Sequence, residues 1–185
     1  MDSSGFVKDG WQAGLWKIIP TGATNGTVSA NGDVAIGSAV SSVTVSNAFS
    51  ADYEAYKVII TGGVGSTGVL LYVQLGASTT AYYWSLAYMG YGTTTVLGGT
   101  SPGGGGANFA NAGYAKTSAL DMNIELVNPS LAKYTYIQGQ SWSYASGSAI
   151  GYSGEHRVAT AYTDLVIGIG AGTMTGGTIS IYGYN

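Results

Sequence analysis

"GGTISIYGYN", residues 176–185, is the stretch whose reading decides the fold. After Gly176 and Gly177, the residues Ile179, Ile181 and Gly183 alternate with Thr178, Ser180, Tyr182 and Tyr184. A period of two places the first set on one face of a strand and the second on the other. A strand that carries rings this close to its end has to pair with chain that is already folded. It is therefore expected to close a sheet or plug a contact between subunits, with Tyr182 and Tyr184 in that contact.

Working outward, the same alternation recurs over 27–30, 33–36, 42–46, 56–61, 69–75, 82–88, 120–127, 134–143 and 163–168. Between these runs stand "GATNGT", "ANGD", "TGGVGSTG", "LGAST", "SPGGGGANFANAG", "NPS" and "GAGTMTGG", rich in the residues that make turns. No segment sustains a 3.6-residue period between caps; "SADYEAYK" (50–57) supplies at most a turn or two before a strand. The expectation is an all-β chain, an antiparallel β-sandwich of jelly-roll-like form over residues 21–185. Residues 1–20 break the pattern and read as a short N-terminal arm, with Phe6, Trp11 and Trp16 as candidate attachment residues.

Composition narrows the function. Charged residues make up 8% of the chain, against an ordinary quarter or so, and the net charge is −3. The six basic residues are scattered, which leaves no stripe to hold a phosphate backbone, so nucleic acid is set aside as a partner. No apolar run approaches the roughly 20 residues of a membrane-spanning helix. With no cysteine, disulfides and thiol chemistry are excluded. So few charges imply a surface coated by Ser, Thr, Asn, Gly and Tyr, or one covered by other subunits.

Catalytic groups are sparse. His156 lies in "SGEHRV" between Glu155 and Arg157 and could orient a serine with Asp164 as its partner, but a solvated turn or edge cluster is the favoured reading. A carboxylate pair for glycoside hydrolysis could be drawn from Asp52, Glu54, Asp121, Glu125 and Asp164. Asp121 and Glu125, however, share the solvent-facing parity of "LDMNIELV". One histidine without cysteine builds no transition-metal shell, and calcium on Asp33 or Asp164 is the metal chemistry left open. The expectation is a protein that is not an enzyme and carries no cofactor. What stands out is a surface chemistry of Tyr, Ser, Gly and Asn, a combination used by binding loops. It is densest at 81–95 and 136–154, which nominates Tyr82, Tyr83, Trp84, Tyr88, Tyr91, Trp142, Tyr144 and Tyr152 as ligand-binding rings that could stack on sugar faces.

Four patches in order, "LWKIIPTG" (15–22), "VTVSNAFSADYEAYKVIITG" (43–62), "IELVNPSLAKYTYIQG" (124–139) and "DLVIGIGAGTMTGGTISIYGYN" (164–185), resemble a C-terminal module of bacteriophage tail-fibre-like virion proteins. The resemblance rests on Phe49, Ser50, Tyr53 and Tyr56, on Asn128 with Pro129, and on the closing Gly177, Thr178, Ile179, Ile181, Tyr182, Gly183 and Tyr184. It implies a β-sandwich presented as a homotrimer in a virion, made in the host cytoplasm, with other virion proteins and a host surface glycan as partners. Two roles follow as expectations: a short tail fibre or receptor-binding module, or a capsid decoration or head-fibre protein.

Overall fold

Ile179 and Ile181 do turn inward, and the strand that carries them lies inside a sheet rather than at its edge. The computed structural model describes residues 14–144 and 147–185; at 142–144 and 148–150 the backbone alone is described. Within that range the chain forms strands and no helix. In order they are β1 (Trp16–Lys17), β2 (Gly22–Thr24), β3 (Gly26–Val28), β4 (Val34–Ile36), β5 (Ser42–Ser46) and β6 (Ala55–Thr61). Next come β7 (Val64–Gly65), β8 (Val69–Leu75), β9 (Tyr82–Gly90), β10 (Val96–Thr100), β11 (Phe109–Ala115) and β12 (Leu120–Val127). The last are β13 (Thr135–Tyr144), β14 (Gly147–His156), β15 (Leu165–Ile169), β16 (Met174–Thr175) and β17 (Thr178–Tyr184).

Among the described residues all pairings are antiparallel and, apart from the two-stranded β7–β16 pair, fall into two layers. The larger sheet runs β10–β9–β14–β13–β12–β6–β17, with β4 and β1 sharing the far side of β17 and β3 beyond β4. The smaller runs β11–β8–β15–β5–β2. They join where Tyr114 and Ala115 of β11 pair with Asp121 and Leu120 of β12. Alternation supplies each layer with an apolar inner face: Val58, Ile60, Met122, Ile124, Leu126, Ile179 and Ile181 from the larger, and Val43, Val45, Leu71, Val73, Leu75, Leu165 and Ile167 from the smaller. These side chains form one buried cluster, the core of a β-sandwich. Burying each is worth about 1.5–3 kcal/mol, which is what holds the layers together.

The aromatic motifs have a packing explanation. The Tyr53 ring lies over Gly183, so close that a Cβ there would stand 2.5 Å from ring carbons. Tyr53 meets Tyr56 edge-on with ring centroids 6.1 Å apart, and Tyr56 meets Phe49 at 4.9 Å. The Tyr56 hydroxyl accepts from the Ser50 N–H at 2.7 Å and donates to the Ser50 carbonyl at 2.6 Å, pinning the turn before β6. Asn128 takes a left-handed backbone, φ 63°, at the end of β12, and its N–H donates to the Glu54 carbonyl at 2.7 Å. Pro129 then offers its carbonyl to the Tyr162 N–H at 2.8 Å. Each motif residue thus ties a strand end to its neighbour.

Several elements differ from the sequence reading. Residues 50–54 form a turn with no helix. "FANAGYA" is strand β11, although it reads as loop, because small residues let it lie flat against β8 and a register shift around Asn111, φ 65°, breaks its alternation. Likewise "GSAIGYSGEH" is strand β14, paired on both sides. Within the segment read as an arm, Trp16 and Lys17 pair with Gly183 and Tyr182, and the Ile18 N–H donates to the Ile181 carbonyl at 2.9 Å. Phe6 and Trp11 lie outside the described residues.

Candidate functional site

The outer face of the larger sheet is where register brings distant polar residues together. Side chains directly opposite in antiparallel strands point to the same side. Glu125 of β12 stands between Lys57 of β6 and Gln138 of β13, and the row continues through Ser153 of β14 to Ser85 of β9. In the next row Asn123 faces Gln140. Beyond them lies Gly151, where a Cβ would meet only open space. The result is a depression of about 490 Å³ lined by Lys57, Asn123, Glu125, Gln138, Gln140 and Ser153.

Inside this trough Gln138 Nε2 donates to Glu125 Oε2 at 2.7 Å, and Lys57 Nζ stands 3.8 Å from Oε1. The Tyr184 hydroxyl leans on the same carboxylate; burial first, then the Glu125 charge, pushes its pKa above the ordinary tyrosine value. A second depression of about 370 Å³ adjoins the trough at Ser153 and is walled by Tyr83, Tyr136 and Glu155. Tyr136, Glu155 and Tyr83 lie side by side across β13, β14 and β9. The Tyr136 side is open, with the residue 47% exposed. Arg157 lies over the Tyr83 ring at 4.2 Å from its centroid and is paired with Glu155.

Chemically the trough presents a carboxylate, an ammonium, amides and hydroxyls, with an exposed ring in the adjoining depression. Amides and hydroxyls both donate and accept, which matches the hydroxyls of a sugar ring, and an aromatic face matches its apolar side. Glu155 shares this face with Glu125, and of the carboxylates named from sequence Asp121 lies on it as well. Asp121 and Glu125 are four residues apart on one strand, about 13 Å, beyond the 6.5–9.5 Å of an inverting pair. Asp121 is in addition held by Ser141 at 2.8 Å.

The rings nominated from sequence divide between core and surface. Tyr82 is fully buried, edge-on to Phe109 at 4.8 Å, and its hydroxyl accepts from the Leu75 N–H at 2.9 Å. Tyr152 is buried and stacks on the half-buried Trp84 with centroids 6.3 Å apart. Tyr88 packs against the core from its edge. Tyr82 and Tyr152 are therefore packed in the core, turned inward by the β9 and β14 alternation, and Tyr152 also lines the trough. Tyr83 and Tyr91 remain at the surface, Tyr91 69% exposed in the turn after β9. The side chains of Trp142 and Tyr144 lie outside those described. Tyr182 is half-buried, carries Lys17 over its ring at 4.7 Å, and lies in an interior strand.

His156 is the clearest correction. It is neither solvated nor on an edge: it ends an interior strand at 0% exposure, 4.2 Å from the Tyr82 ring centroid and 5.4 Å from that of Tyr162. Its Nε2 stands 2.9 Å from Ser78 Oγ, whereas Asp164 accepts from the Asn47 N–H at 3.0 Å and takes no part. Burial pushes the His156 pKa below the ordinary imidazole value, against a smaller upward pull from the Thr80 backbone. Asp33 is likewise occupied: Lys17 and Ser180 bind its carboxylate and hold its pKa below the usual range.

Sequence reasoning missed Lys57, Asn123, Gln138, Gln140, Ser153 and Tyr136 as one site. The signal present was the outward parity of 120–127 and 134–143; the register between strands, which no single strand encodes, was the missing part. Compared with known proteins, the chain matches no family model, no curated protein and no solved structure.

Proposed function

We propose that this protein is a non-enzymatic bacteriophage virion component, a short tail fibre or receptor-binding module, that holds a host surface glycan on the outer face of its larger sheet. The observation that carries the glycan reading is the trough of Lys57, Asn123, Glu125, Gln138, Gln140 and Ser153 with the adjoining depression walled by the exposed Tyr136. The virion reading rests on the order of the four sequence patches. A second reading, capsid decoration, is favoured by one observation: Leu15, Trp16 and Ile19 are exposed apolar residues within a single short segment. Such a segment suits docking on a neighbouring protein.

The test is binding of the intact protein to purified surface polysaccharide from the host, together with gold labelling of virions. Tyr136→Ala and Gln138→Ala are each expected to weaken polysaccharide binding by about 5-fold to 150-fold, since one stacked ring or one buried hydrogen bond is worth about 1–3 kcal/mol. Label at the tail accompanies that outcome. Label spread over the head, with polysaccharide binding absent, replaces it with decoration.

A further inference from the structure

We propose that β10 is a pairing edge, to which a second copy of this chain adds its own β10 antiparallel across a two-fold axis at Gly98. This inference is independent of the trough and concerns the opposite margin of the larger sheet. β10 ends that sheet, with β9 on one side only. Its Val96 and Leu97 are 58% and 49% exposed.

The backbone pattern fixes which groups are offered. The Ser101 N–H donates to the Trp84 carbonyl at 2.9 Å, and in an antiparallel ladder the bonded pairs alternate. With the β9–β10 register, Leu97 and Gly99 bond to β9 while Val96, Gly98 and Thr100 direct their N–H and C=O groups outward. Natural edges are blunted by lysine, proline or very short strands. β10 has none of these, and no charged residue occurs between Lys57 and Lys116. The larger sheet's opposite margin is short: β3 has three residues, and the far side of β17 is covered by β1 and β4.

A two-fold pair needs a surface that complements itself. With Gly98 on the axis, Val96 faces Thr100 of the partner subunit and Thr100 faces the partner subunit's Val96. Both are β-branched residues suited to cross-strand contact. Gly98 places no side chain on the axis, and the uncharged strand brings no like-charge repulsion to the contact.

The chain contains no cysteine, so introduced thiols report without background. The proposed register sets Val96 and the partner subunit's Thr100 about 5.5 Å apart, inside disulfide range, and the two copies of Val96 about 13 Å or more apart, outside it. Under mild oxidation, the double variant Val96→Cys with Thr100→Cys is expected to give a covalent dimer, and Val96→Cys alone is not. By sedimentation, the unmodified chain is expected to show a monomer–dimer equilibrium, in place of the homotrimer that the resemblance implies. Gly98→Pro, which removes an outward N–H and sets a Cβ 3.3 Å from the Leu86 carbonyl oxygen of β9, and Val96→Lys are each expected to raise its dissociation constant at least about tenfold. The proposal is overturned by a chain that stays monomeric at high micromolar concentration, by an oligomer that neither substitution weakens, or by cross-linking of the single-cysteine variant equal to that of the double one.

Discussion

His156 is buried where a positive charge is hardest to keep, against Tyr82 and Tyr162 with Ser78 as its hydrogen-bond partner. Its folded pKa lies below the ordinary value near 6.5. Between the two values the unfolded chain binds more protons than the folded one, so acid favours unfolding. The stability His156 permits is fully present above about pH 6.5 and declines below it, at up to ~1.4 kcal/mol per pH unit. Urea melts at pH 5.0 and 7.5 are expected to differ for the native chain and to converge for His156→Gln; equal slopes in both would refute this. Asp33 acts in a lower window: Lys17 depresses its pKa, so its contribution is lost only as pH falls below the ordinary carboxylate value. Tyr56 offers a second check at this scale. Tyr56→Phe leaves both polar groups of Ser50 without their partner and is expected to cost about 1–3 kcal/mol.

Among the strands, β17 shows how an element can be legible and still withhold its reason. The period of two located it from Thr178 to Tyr184, and β5, β8 and β12 were readable in the same way. What the pattern hid was why position 183 is glycine, since that depends on the Tyr53 ring arriving from a turn 130 residues away in sequence. Gly183→Ala is therefore expected to destabilise by about 1–3 kcal/mol through overpacking, with partial recovery in a Tyr53→Ala background. Additive losses in the double variant would show that the two positions do not share the space. β11 and β14 were illegible for the opposite reason. Their Gly, Ala and Ser residues lack a hydrophobic period, and only pairing on neighbouring strands makes them sheet.

For the molecule as a whole, fold class was readable because alternation is local, and the candidate site was not because it spans β6, β12, β13 and β14. Of the rings nominated from aromatic density, Tyr82 and Tyr152 pack inside and Tyr83 and Tyr91 lie at the surface, while Gln138, Gln140 and Asn123, which carry no aromatic signal, line the outer face. Pairing between β1 and β17 and between β6 and β17 joins segments far apart in sequence. Closing such loops costs entropy before contacts compensate it, so folding is expected in the millisecond-to-second class of all-β domains. Stopped-flow refolding followed by tryptophan fluorescence would measure it, and microsecond refolding would contradict this topology.

Trp16 and Gly183 are direct cross-strand partners, so the chain enters and leaves the sandwich at the same end of one sheet. A load applied between those two points would not shear a ladder of hydrogen bonds in parallel. It would open the β1–β17 pair one bond after another, as a zipper opens, at low force. A load applied from Trp16 to β10 would instead cross the strands of the larger sheet that lie between them. Loading through Trp16 and Gly183 is thus a soft direction of the domain, set by a single pair of residues.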